Sequence, residues 1–332
     1  MAVTACSDDG SGDSEVDDSP ITSSLAQIPE SVRVDGFEMI AYGDLERAGE
    51  LIGRSRPDFD PGETEDFFDW VRNLVGFPLE DDVRVEVFVA LPNVTSPQRI
   101  DRLDEFTEEL GWSAIEMSSF IEYQAPPDSL TVMRGDFSAD RIDSAVGTRE
   151  DDIWRVGDED LSINADERSV ARPLGESVRM ALNDDLLAVS RATGPVADWL
   201  GDGDTLADDD DLVAVASALD AAGSYSALLV VEPSGNRPAY GVGLSLVDGD
   251  PVATFVYLYD DARDATDAAA RLEALIADGT SNATDRPWSD AFTIDSIEID
   301  DRLVVASLQL EDFNPGSVFA VVYTRDNIIA LE

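Results

Sequence analysis

Carboxylates are the one plentiful reactive group in this chain: 71 Asp and Glu stand against 22 basic residues. All 22 are Arg, Lys and His are absent, and Cys6 is the single thiol. A Ser-His-Asp triad, a Cys-His pair, a Lys Schiff base and a His-bearing zinc site are therefore closed to it. Carboxylate acid–base chemistry stays open. Glycoside hydrolysis needs an acid and a base facing across a cleft, about 5 to 9.5 Å apart. The obvious neighbours, Glu105, Glu108 and Glu109 on one helix and Asp184-Asp185 in a turn, share an element and read as solvated acidic surface. Asp-Thr-Gly, Asp-Ser-Gly, Gly-x-Ser-x-Gly and a phosphate-binding loop with its Lys do not occur. Gly241-Val242-Gly243 runs on into Leu244-Ser245-Leu246 instead of completing a dinucleotide-binding fingerprint. No catalytic residue is assigned.

Oxygen ligands for calcium are offered by Asp202, Asp204, Asp208 and Asp210, within Asp202-Gly203-Asp204 and the run Asp208 to Asp211. The EF-hand spacing is missing, so diffuse counter-ion attraction is the expected behaviour and no cofactor is expected. The net charge of -49 repels phosphate backbones and anionic head groups, which excludes nucleic acid and a basic-patch membrane mode. Asp outnumbers Glu by 48 to 23. Salt adaptation and high-GC coding both produce an Arg-only, Asp-rich chain, and composition does not separate them. Salt screening of the mutual repulsion is expected to stabilise the fold.

The thiol sits in Val3-Thr4-Ala5-Cys6, ahead of Ser7-Asp8-Asp9-Gly10-Ser11-Gly12-Asp13-Ser14-Glu15. This resembles the lipobox of bacterial lipoproteins, in which the Cys is acylated and becomes the first residue. Charged and apolar regions ordinarily precede such a box, and only Met1 and Ala2 stand here, so the signal reads as a remnant. The resemblance implies a lipid anchor at Cys6 on the outer face of the cytoplasmic membrane. Residues 7–29 read as an acidic, flexible tether. No other stretch is apolar and long enough to span a bilayer.

The elements that would position any site come in strand pairs and helices. Tyr240–Leu246 and Val252–Leu258 form a hairpin through Asp248-Gly249-Asp250, because Asp-Gly tolerates the positive φ of a tight antiparallel turn. Phe292–Ile299 and Leu303–Leu310 form another through Asp300-Asp301, with alternating polarity that buries one face. Between the pairs, Ala265, Ala268, Ala269, Leu272, Leu275 and Ile276 make the apolar stripe of a long helix. Helices are also expected over 63–75, 98–110 and 212–222. The junctions Gly43-Asp44 and Gly135-Asp136 each lead from a strand into a helix that stops on Gly53 or Gly147. A looser copy runs from Leu186–Ser190 into 193–200, which suggests a degenerate internal duplication.

These patterns predict an α+β fold of antiparallel sheets with helices packed on their faces. They divide the chain into an N-terminal domain over 30–204 and a C-terminal domain over 205–332. The residues Leu110-Gly111-Trp112-Ser113-Ala114-Ile115, Phe120-Ile121-Glu122-Tyr123, Pro126-Pro127 and Thr131–Phe137 with Ile142 form a pattern that resembles uncharacterised secreted or lipid-anchored proteins of high-GC Gram-positive bacteria. That resemblance covers about 110–212 and implies export without bringing any catalytic motif. The expected function is a non-enzymatic, lipid-anchored envelope protein that binds or scaffolds a partner. The alternatives are a carrier of a lipid or other apolar ligand and, third, a carboxylate hydrolase. A closed apolar cavity, two facing carboxylates in an aromatic cleft, or an exposed apolar patch would favour carrier, hydrolase or partner binding respectively.

Overall fold

Every strand pairing is antiparallel, and the strands form one sheet in the order β10-β11-β9-β8-β7-β1-β2-β3-β6-β5-β4. The computed structural model describes residues 19–331 apart from 35, 58–63, 77–84, 96–101, 127, 233–236 and 312. Cys6 and residues 7–18 of the expected tether lie outside the described residues. The strands are β1 Glu38–Asp44, β2 Met117–Ala125, β3 Asp128–Gly135, β4 Trp154–Val156, β5 Val178–Asn183, β6 Leu186–Ser190, β7 Ser226–Val231, β8 Ala239–Val247, β9 Asp250–Leu258, β10 Phe292–Asp300 and β11 Leu303–Leu310. The fold is α+β, as the hairpin signals predict. The expected plural sheets are a single eleven-stranded one.

Helices cover both faces, and two hydrophobic clusters result. On one face lie α1 Pro20–Leu25, α6 Thr193–Trp199 and α7 Asp210–Ala221. On the other lie α2 Leu45–Leu51, α3 Thr64–Leu74, α4 Leu103–Leu110, α5 Ala139–Val146, α8 Ala262–Asp278, α9 Pro315–Tyr323 and α10 Asn327–Ala330. The tether corrects at its C-terminal end. Ile21, Leu25 and Ile28 are fully buried, an i, i+4, i+7 apolar row inside a stretch whose acidic neighbours mask it. The Asp220 carboxylate of α7 accepts the Ile21 and Thr22 amides at 2.9 Å, tying α1 down by its N-terminus.

Residues on either side of 204/205 occupy opposite halves of the sheet, joined where β1 pairs with β7. Each half repeats one order. A seam strand is followed by a hairpin (β2–β3 or β8–β9), a helix (α5 or α8) and a second hairpin that docks last strand first (β6–β5 or β11–β10). The hairpin turns match: Asp184 has φ 51° and Asp301 φ 52°. This repeat is not the one that the Gly-Asp junctions suggest. Those junctions follow β1, β3 and β6, which are successive positions within one half. They also differ locally, because Asp44 caps α2 through the Arg47 amide whereas Asp136 pairs with Arg56.

Candidate functional site

The strongest candidate is an open groove of about 710 Å³ on the α7 face of the C-terminal half. It exists because α7 lies against β8 more closely than side chains would permit. A Cβ at Gly241 would come within 2.7 Å of Val215, and one at Gly243 within 2.3 Å of the Ser224 hydroxyl. The glycine pair noted in the sequence is thus a packing seat for a helix. From that seat α7 turns its small residues Ala214, Ser217, Ala218 and Ala221 toward the groove.

The floor comes from β9, β11 and β10. Register places Thr254 beside Ser307 and Ser307 beside Ser296, giving a row of hydroxyls across three strands. Val252, Val305 and Leu303 make the floor around this row apolar. Thr254 is 1% exposed and Ser245, at the same end, 3%. Both residues line the groove, and the buried side-chain polar atoms without a hydrogen-bond partner among the described residues, Arg191 Nε and Ser224 Oγ, lie outside it. Glu298 and Asp300 form the outer wall, and the exposed Asp248 and Asp250 stand at the turn beside Val247.

The acidic residues singled out by sequence go elsewhere. Among the described residues no three carboxylates or thiols gather in a metal-binding cluster. Asp208 instead accepts the Thr205 amide at 2.9 Å in a capping box, and Asp202 and Asp204 are exposed. Asp210 lies in the first turn of α7, which Asp209 caps through the Asp211 and Leu212 amides. Glu105 pairs with Arg102, and Glu109 accepts from Ser169 and the Ala171 amide. Asp185 pairs with Arg134.

A second depression, of about 320 Å³, gathers Glu46, Glu50, Glu116 and Asp136 with Arg56 and Arg141. Burial pushes the Glu116 carboxyl above its ordinary range, the environment a general acid would want. Both of its oxygens are nevertheless engaged, one by Arg141 and the other by the Ser113 amide at 2.8 Å. Asp136 accepts from Arg56 at 3.0 Å. This arrangement is an ion-pair lattice that pins the chain after α2 to β2 and α5, with the exposed Glu46 and Glu50 at its rim. A third depression, of about 730 Å³, lies over Trp288 and Phe313. Its deepest carboxylate, Asp326, is already satisfied by Ser281 and the Asn282 amide.

No family model matches this chain, and no match is found among curated proteins or solved structures. What the fold and groove define is therefore a class of architecture: an antiparallel sheet with helices on both faces, one part of which the described residues leave open. The floor residues had a signal in the sequence, the polar alternation of Ser296, Glu298 and Ser307. Reading that alternation as one buried face is sound, but it does not say that the other face belongs to a groove.

Proposed function

We propose that this is a non-enzymatic protein of the cell envelope, held on the outer face of the cytoplasmic membrane by a lipid on Cys6, that binds a protein partner through the groove between α7 and β10. The observation that carries the reading is the open groove itself, where the hydroxyl row of Thr254, Ser307 and Ser296 crosses a floor made apolar by Val252, Val305 and Leu303. A carrier reading has less support, because these three depressions open to solvent instead of enclosing a cargo.

Thiol footprinting in native envelopes tests the binding face. Cysteine introduced by Ser307→Cys should be protected from an alkylating reagent in envelopes and reactive in the purified protein. Thr266→Cys, on the exposed side of α8, should react equally in both. Equal labelling of the Ser307→Cys protein in the two settings refutes the reading. For the anchor, Cys6→Ser expressed with the native upstream region should release the protein into the soluble fraction. Retention of that variant refutes lipidation.

A further inference from the structure

The partner-binding reading leaves open what the partner inserts, and the molecule's own repeat supplies an answer. In the N-terminal half, α6 lies over β3, β6 and β5. The matching strands in the C-terminal half are β9, β11 and β10, the floor of the groove. The hairpin registers superimpose: Ala188 opposite Ala181 and Ser190 opposite Arg179 correspond to Val305 opposite Glu298 and Ser307 opposite Ser296. The chain after β11 does not return to this face. It forms α9, which packs on β8 and β9 from the opposite side.

Resting on the reading above, we propose that the groove receives an amphipathic helix of a basic partner protein, seated over β11 and β10 beside α7, which already covers β9, much as α6 is seated over β6 and β5. Dimensions support a helix. Two strand spacings, about 10 Å, match the diameter of one helix. The five residues from Leu303 to Ser307 run about 16 Å, or roughly 11 residues of helix. β9 and β11 already pair on both sides, so a strand could add only outside the floor, along the outer edge of β10. The small side chains of α7 let a neighbouring helix approach at the short end of the usual 8–10 Å separation.

Chemistry fixes the character of that helix. Its contact face must be narrow and mixed, with small apolar residues against Val305 and Leu303 and a Ser, Thr, Asn or Gln to meet the hydroxyls of Thr254 and Ser245. Its flanks must be cationic, because Glu298 and Asp300 line the outer wall and Asp248 and Asp250 the end. Arg302, the one cation at this edge among the described residues, is engaged by Asp211 at 2.6 Å. A second copy of this chain would bring another -49 charges and is repelled at ordinary ionic strength.

Two synthetic 14-residue peptides of identical composition test this. One places Ala and Thr along a single face and Arg on its flanks, and the other scrambles that order so that no face forms. Nuclear magnetic resonance of the full chain at 0.15 M and 1 M NaCl should show the ordered peptide shifting Thr254, Val305 and Ser307. Its affinity should fall at least tenfold in Ser307→Trp and in Ala218→Trp, which fill the groove from floor and wall without changing charge. Circular dichroism checks that each variant is folded, and one folded variant suffices. Glu298→Arg should weaken the ordered peptide alone. Equal binding of the two peptides, or binding that survives groove filling, overturns the proposal. Protection of Ser307→Cys in envelopes while the ordered peptide fails to bind overturns the helix and leaves partner binding standing. Concentration-dependent self-association abolished by Ser307→Trp assigns the groove to a second copy and overturns the basic partner.

Discussion

The two halves of the sheet share a strand order and end differently. After β6 the chain needs only Arg191 and Ala192 before α6 begins, and Asp160 fixes that start by accepting the Thr193 amide and hydroxyl at 2.8 and 2.9 Å. The helix is short and shallow, with Val196 its one buried residue and Trp199 partly buried, so a single surface satisfies it. The helix after β11 is another kind of object. In α9, Val318, Phe319, Val321 and Val322 are all buried, and Phe319 packs against Phe88 of the other half with ring centroids 5.8 Å apart. A segment apolar on several sides needs cover on several sides, and only the face carrying residues 85–91 supplies it. Crossing to that face leaves β11 and β10 without a helix seated over them as α6 is over β6 and β5 among the described residues, while α7 covers β9, and the open floor has polar character to match. Exposed Glu298 stands where buried Ala181 stands in the other half. Identical topology therefore does not dictate identical covering; the apolarity of one exit helix does.

The sharpest way to break this comparison is to place a charge at the two matching positions. Ala188→Asp buries a carboxylate under α6 and should cost about 4 kcal/mol or more, whereas Val305→Asp, facing the groove, should cost no more than about 1 kcal/mol. Denaturant midpoints at fixed salt measure both, and equal losses would mean that the groove floor is as closed as its counterpart. A smaller effect belongs to the seam. Arg33 reaches Glu38 of β1 at 3.1 Å and Asp209, the cap of α7, at 2.5 Å. Glu38 is buried and also accepts from the Tyr123 hydroxyl at 3.1 Å. Arg33→Gln leaves that carboxylate without its cation and should cost about 2 kcal/mol. Hydrogen exchange should then show opening on both sides of the β1–β7 pair, and exchange confined to one half would rule out a coupling role.

The mildest test uses pH, because the halves carry their buried acids unequally. Burial pushes Asp44, Glu116 and Glu122 above their ordinary ranges, and all three lie in the N-terminal half. Glu122 is hydrogen-bonded by the Asn93 amide and the Thr131 hydroxyl, both at 3.0 Å, and by Gln124. A carboxyl with a raised folded-state pKa binds its proton more tightly when folded, so it destabilises at neutral pH. Stability should therefore rise as pH falls from neutral toward the ordinary carboxylate range. Below that range the trend reverses for Asp160, whose carboxylate is held below its usual range by hydrogen bonds from Thr193 and Arg179 that outweigh its burial. Denaturation between pH 7.5 and 3 should give a maximum on the acid side of neutrality, with exchange protection gained mainly in β1 to β3. Glu122→Gln should flatten the rising limb. A curve that declines steadily from neutral pH would contradict this account.

Much of the local structure was legible from residue order. Asp248-Gly249 declares its hairpin, with φ of 54° and 90°, because few residues accept that geometry. The stripe from Ala265 to Ile276 declares α8, whose extent is Ala262–Asp278. The start of the fold was harder to see, since Ile21, Leu25 and Ile28 lie within a stretch that composition assigns to a tether. Composition averages over a window, whereas burial depends on three side chains sharing one helical face. The groove was less legible still. Ser307 and Ser296 read as ordinary strand residues, and their partial exposure depends on where the chain goes after β11.

By itself, the sequence determined which chemistries are absent, the acidic character, the antiparallel hairpins and the helices between them. Each of these follows from residue type or short-range periodicity. Tertiary structure alone decided that the two hairpin series join through β1 and β7 into one sheet and that α7 seats on Gly241 and Gly243. It also decided that the helix after β11 leaves the face that its counterpart covers. The reason is physical: a strand's pairing partners and a helix's choice of face are set by which apolar surfaces find mutual cover, and those surfaces come from segments far apart in the chain, such as those carrying Phe88 and Phe319.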